Sequence, residues 1–102
     1  MAASVSHAPD WLVYGFERDG VSYYQVNDVA GQVHIIVAHA DGIFWALPAG
    51  VAPFRVSLPS RQIVIPEDAQ PTTVYVHPEF SIVRHIVGGE AVWSVQHSNG
   101  PG

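Results

Sequence analysis

Cysteine is absent from this chain, and so is lysine. The first absence removes any disulfide framework or thiolate metal site and points to a reducing, cytoplasmic setting. The second removes Schiff-base chemistry on an amine. It leaves Arg18, Arg55, Arg61 and Arg84 as the side-chain cations against nine acids, a formal net charge of −5. Nucleic-acid binders draw affinity from counterions released by many Lys and Arg. Four scattered arginines make nucleic acid an unexpected partner, and anionic membrane surfaces are disfavoured for the same reason. The apolar runs, such as Ile35–Ala38, are far too short to cross a bilayer. The run Met1–Asp10 has no basic start and no apolar stretch, so no secretory signal is expected. Also missing are G-x-S-x-G, a P-loop and a dinucleotide fingerprint.

What is present is apolar and β-prone. The 102 residues suit one domain spanning 1–102, with 1–9 and 98–102 expected to fray. Hydrophobic residues make up 48% and charged residues 13%, against roughly 25% charged in typical soluble domains. A small domain has much surface for its volume, so some of this apolar content must face outward. Self-association, as a dimer or ring, is the simplest way to cover it, and another protein partner is the alternative.

Val, Ile, Tyr, Phe and Trp arrive in short runs between turn residues, and no stretch carries helical apolar spacing. Asp19-Gly20 separates Trp11–Arg18 from Val21–Asn27, and Asp41-Gly42 separates Val33–Ala40 from Ile43–Leu47. Gly88-Gly89 separates Phe80–Val87 from Glu90–His97. Each pair tolerates positive φ and suits a type I′ hairpin. Shorter strands are predicted at Phe54–Leu58, Arg61–Ile65 and Thr72–Val76, with a loop from Pro66 to Pro71. The expected fold is all-β: a small antiparallel, strongly bent sheet or partly open barrel, rich in hairpins.

Two-residue turns also fix register. In the last hairpin Arg84 falls opposite Trp93, on the face that carries Phe80, Ile82, Ile86 and Val95. Its guanidinium either stacks on Trp93 or snorkels out at a strand end, the second being the simpler expectation. In the first hairpin Leu12, Tyr14, Phe16 and Tyr23 share one face, while Trp11, Val13, Tyr24 and Val26 share the other. Bulk on both faces fits a curled sheet or one that meets a second copy better than a sheet open to water.

The histidines are His7, His34, His39, His77, His85 and His97. Zinc needs three or four converging ligands. His34 and His39, five apart, should point to opposite faces of one strand, and His77 and Glu79 flank Pro78. At most two ligands converge, so neither metal nor cofactor is expected. Asp19 and Asp41 belong to turns, and Glu67-Asp68 to a solvated loop. Asp28, Glu17, Glu79 and Glu90 have no assigned role. An enzyme is not expected.

Two segments carry a family likeness. In Ile86-Val87-Gly88-Gly89-Glu90-Ala91-Val92-Trp93-Ser94-Val95 a strand runs into glycine and then into an apolar-alternating strand. Asp28-Val29-Ala30-Gly31-Gln32-Val33 places an aspartate before a turn. Together they resemble the second and first motifs of the Sm-like family of small five-stranded barrels. Gly88 stands where that family has arginine, Gln32 where it has asparagine, and Asn27 where it has an aromatic. The resemblance implies a small barrel, a ring or dimer formed by edge-strand pairing, and a rim at Asp28, Gln32, Gly88 and Gly89. It does not imply the RNA site, whose Asn and Arg are replaced.

Three functions follow as expectations. The first is a non-enzymatic binding or scaffold module acting through protein–protein contacts. Its surface would be an uncovered strand edge plus exposed aromatics among Trp11, Tyr23, Tyr24, Trp45 and Tyr75. The second is a divergent Sm-like RNA-associated protein. The third is a small metal-dependent binder or enzyme using His34, His77 or His85.

Overall fold

Three tight turns set the architecture. In the structure, a computed structural model that describes residues 10–48 and 55–97, Asp19 and Gly20 have φ of 54° and 81°, Asp41 and Gly42 52° and 76°, and Gly88 and Gly89 58° and 81°. Two successive left-handed residues give the turn whose twist matches its strands. The hairpins join β1 (Trp11–Arg18) to β2 (Val21–Asp28), β3 (Val33–Ala40) to β4 (Ile43–Pro48), and β7 (Phe80–Val87) to β8 (Glu90–His97). β5 (Val56–Ser57) and β6 (Gln70–Val76) complete the set. Among the described residues there is no helix. A Cβ added at Gly20 meets nothing within 4 Å, so Gly20→Ala costs backbone strain alone. The expected loss is about 1–2 kcal/mol, read as a lower urea midpoint with an unchanged slope.

The strands form two four-stranded sheets, β1-β2-β3-β4 and β5-β8-β7-β6. All pairings are antiparallel except β5 with β8, where Val56 and Ser57 run parallel to Trp93 and Ser94. The sheets face each other and do not close into a barrel. Trp11, Val13, Val26, Ile35, Val37 and Phe44 of the first sheet meet Tyr75, Phe80, Ile82, Trp93 and Val95 of the second. Phe80, fully buried, is ringed by Tyr24, His39, Phe44, Tyr75 and His77 at centroid distances of 4.6–5.9 Å.

Some expectations need correction. Arg61–Ile65 is not a strand: Arg61 makes one antiparallel bridge to Leu58, and the chain beyond it is laid across the second sheet instead. The Ile63 amide donates to Ser57 Oγ at 3.2 Å, which anchors this crossing. β6 starts earlier than expected and takes in Pro71, which an edge strand tolerates because one side of it needs no ladder donors. Of the strand expected at Phe54–Leu58, Val56–Ser57 is paired. Phe54, His7 and the ends expected to fray lie outside the described residues.

A register shift between Val26 and Asn27 overturns the expectation for His34 and His39. His34 is the extra residue, standing on β3 between the partners of Val26 and Asn27, and a bulge reverses the alternation. His34 therefore turns inward against Trp11 (4.9 Å) and Trp93 (6.4 Å), while His39 reaches Phe80 further along the same interior.

Candidate functional site

The hairpin registers place Tyr14, Gln25, Ile36 and Leu47 in one row across the outer face of the first sheet. Phe16, Tyr23, Ala38 and Trp45 form the next row, and Ala40–Ile43 and Leu12–Asn27 flank the pair. Phe16 and Tyr23 stack at 5.2 Å. On this face Gln25 Nε2 donates to Asn27 Oδ1 at 3.1 Å. No charged residue stands in either row; Arg18, Asp19 and Asp41 sit at the turns that border them. Phe16 is 45% exposed, Ile43 60% and Leu47 37%. An apolar centre with a polar rim is the anatomy of an interface.

The second sheet's outer face is treated differently. The segment after Arg61 lies beside it, with Gln62 and Ile65 on one side of a cavity and Ser94 and Gln96 on the other. Val83, Val92 and Ser94 of this sheet are buried. Among the described residues no strand is stacked on the first sheet's outer face. The more aromatic of the two outer faces is thus the one without a covering strand among the described residues.

The expected contact aromatics divide accordingly. Tyr23 and Trp45 stand half-buried on this face. Trp11 and Tyr75 are 9% exposed and Tyr24 packs on the core, so these three are interior residues and are corrected as contact candidates. Tyr23 and Tyr24 are neighbours on a strand and must point to opposite sides; burial of Tyr24 against Tyr75 and Phe80 is what leaves Tyr23 outside. Burial also raises the Tyr75 phenol above its ordinary pKa.

The rim residues divide too. Asp28 and Gln32 come together in the β2–β3 turn. Asp28 Oδ1 accepts from the amides of Ala30 (3.0 Å) and Gln32 (2.9 Å), and the Asp28 amide donates to the Gln32 carbonyl. Its other oxygen lies 2.9 Å from His34 Nε2. These bonds, His34 foremost, hold the carboxyl below its ordinary pKa. Gly88 and Gly89 form the β7–β8 turn, and no hydrogen bond joins them to Asp28 or Gln32.

Arg84 does not snorkel. Its guanidinium carbon lies 4.8 Å from the Trp11 ring centre and 5.8 Å from that of Trp93. Nε is buried without a hydrogen-bond partner, and burial lowers the pKa of the group. The stacking on Trp93 that hairpin register allowed is real, and Trp11 of the facing sheet, invisible to that register, is the closer ring.

Of the histidines considered for chemistry, His34 is bound to Asp28, and His77 Nδ1 accepts from the Glu79 amide at 3.0 Å. His85 Nε2 lies 2.9 Å from Ser94 Oγ. Among the described residues no three His, Asp or Glu come together to hold a metal ion, and no helix is long and apolar enough to cross a membrane. Burial depresses the His85 pKa. Folding therefore favours its neutral form. That stabilisation is complete above the unfolded value near 6.5 and is lost as pH falls toward the lower folded value. Urea midpoints are expected to drop between about pH 7 and 5, and His85→Gln should flatten that slope.

No protein-family model, curated protein or solved structure matches the chain.

Proposed function

We propose that this protein is a non-enzymatic binding module that associates with a second copy of itself through the outer face of its first sheet. The observation that carries this is the pair of rows Tyr14–Gln25–Ile36–Leu47 and Phe16–Tyr23–Ala38–Trp45, which crosses all four strands without a charge.

A second copy fits this face better than an arbitrary partner. An isologous contact sets a surface against itself, and in a chain of net charge −5 an uncharged patch is where two copies meet without repulsion. Four strands about 4.8 Å apart, each up to eight residues long, give a footprint of roughly 500 Å² in projection. Side-chain relief enlarges this toward the ~800 Å² per partner of a standard interface. Two such faces pack aligned, about 10 Å apart, as sheets do within a sandwich. This association follows with or without membership of the Sm-like family, and a cytoplasmic setting belongs to the same proposal.

Sedimentation velocity across a micromolar concentration series tests it. A dimer whose population grows with concentration is expected. A species that stays monomeric at about 100 μM, weaker than ordinary specific association, rejects it.

A further inference from the structure

Among the described residues the sandwich is closed on one flank and open on the other. β1 and β6 approach each other on the closed side. On the other, β4 and β5 are both edge strands, and a cleft of about 530 Å³ opens beside them toward the core. Trp45, Ala46, Val56 and Ile63 supply apolar wall, and Arg55 and Arg61 stand in the lining.

The charge distribution is the telling feature. The chain has four side-chain cations and nine acids, yet among the described residues two of the cations line this cleft and no acid does. Both arginines are exposed, and neither makes an ion pair among the described residues. A guanidinium fork matches a carboxylate in two parallel hydrogen bonds. The volume falls within the 300–1,000 Å³ usual for small-molecule sites, which are mostly apolar with a few placed polar groups. From the joint presence of apolar walls and unopposed guanidinium groups, we infer that the β4–β5 cleft binds a small organic acid, a carboxylate on an aromatic or branched aliphatic body. The body lies against Ala46, Val56 and Ile63, which are outside the outer-face rows, and the carboxylate meets Arg55 and Arg61. An added peptide strand suits the flank less well: β4 is six residues long and ends on Pro48, which has no N–H to pair.

Titration of the full chain with 4-phenylbutyrate, followed by amide NMR shifts, tests the inference. Saturable shifts at Ala46, Val56 and Ile63 are expected. The uncharged 4-phenylbutanol should bind about tenfold or more weakly, and Arg55→Gln with Arg61→Gln should weaken the acid by a similar factor, since charge-assisted bonds are lost. Neither arginine belongs to the outer-face rows, so sedimentation of the double variant should match the parent. A failure here leaves the self-association result standing, and the reverse. Absence of saturable shifts up to roughly 10 mM, well above a millimolar Kd, overturns the inference. So do equal affinities for acid and alcohol, shifts centred on Phe16 and Tyr23, or response only to a carboxylate-bearing peptide.

Discussion

Tyr23→Glu is expected to dissolve the dimer while leaving the monomer folded. Tyr23 lies on the inner strand β2, between Phe16 and Ala38 in the aromatic row, and its side chain is half-buried. Truncating a central aromatic anchor costs about 2 kcal/mol or more at an interface, and a buried unpaired carboxylate adds to that. In a two-fold contact each substitution is present twice, so the loss is about 3–4 kcal/mol even if each copy gives less than 2, a factor of some hundreds in Kd. Stability of the isolated chain should change little, because the site faces water when no partner is bound. Sedimentation equilibrium together with urea unfolding reads both quantities. Tyr23→Phe, which keeps the ring, should retain association within a few-fold. A Tyr23→Glu protein that is as dimeric as the parent would show that the contact lies elsewhere.

Phe80→Ala should produce the largest stability loss of any single truncation. Five rings surround Phe80, which exposes none of its surface. Removing a buried Phe costs about 3–5 kcal/mol through lost transfer energy and the cavity left behind. That is a large part of the 5–15 kcal/mol that holds a domain folded, and corresponds to a fall in Tm of roughly 15–30 °C in a chain of this size. Val64, 86% exposed, is the contrasting site, where Val64→Ala should stay within about 0.5 kcal/mol. Calorimetry of the two variants beside the parent makes the comparison.

The hairpins were legible in the chain because their information is local. Asp-Gly and Gly-Gly each specify a turn, a two-residue turn specifies register, and register specifies which side chains share a face. That is why Arg84 falls opposite Trp93 and Phe16 opposite Tyr23 in both sequence and structure. Which face turns inward was not local. Trp11 and Tyr75 look like surface aromatics until Trp93 and Phe80 of the other strands are set against them. The alternation of Arg61–Ile65 reads the same whether the segment is paired or draped, and the hydroxyl of Ser57 that draws Ile63 across the sheet lies outside any strand pattern. The bulge at His34, opposite Val26 and Asn27, has no glycine to announce it, so His34 could not be placed. Bulk on both sides of the first hairpin argued for a curled sheet or a second copy, and did not say which side, that of Phe16 and Tyr23 or that of Val13 and Tyr24, would meet the core. The flank cleft could not be read at all, because it arises from the distance between β4 and a two-residue β5 that pairs with the last strand.

That parallel pairing of β5 with β8 orders the assembly of the chain. The first sheet is a meander of adjacent hairpins from residues 11–48, so every closure in it is short and cheap in loop entropy. Val56 must wait for Trp93, 37 residues onward in sequence, and pairings of high sequence separation form slowly. On a ribosome the meander can zip up while the strands that will shield its inner side have yet to be synthesised, and for that interval the nascent sheet is greasy on both sides.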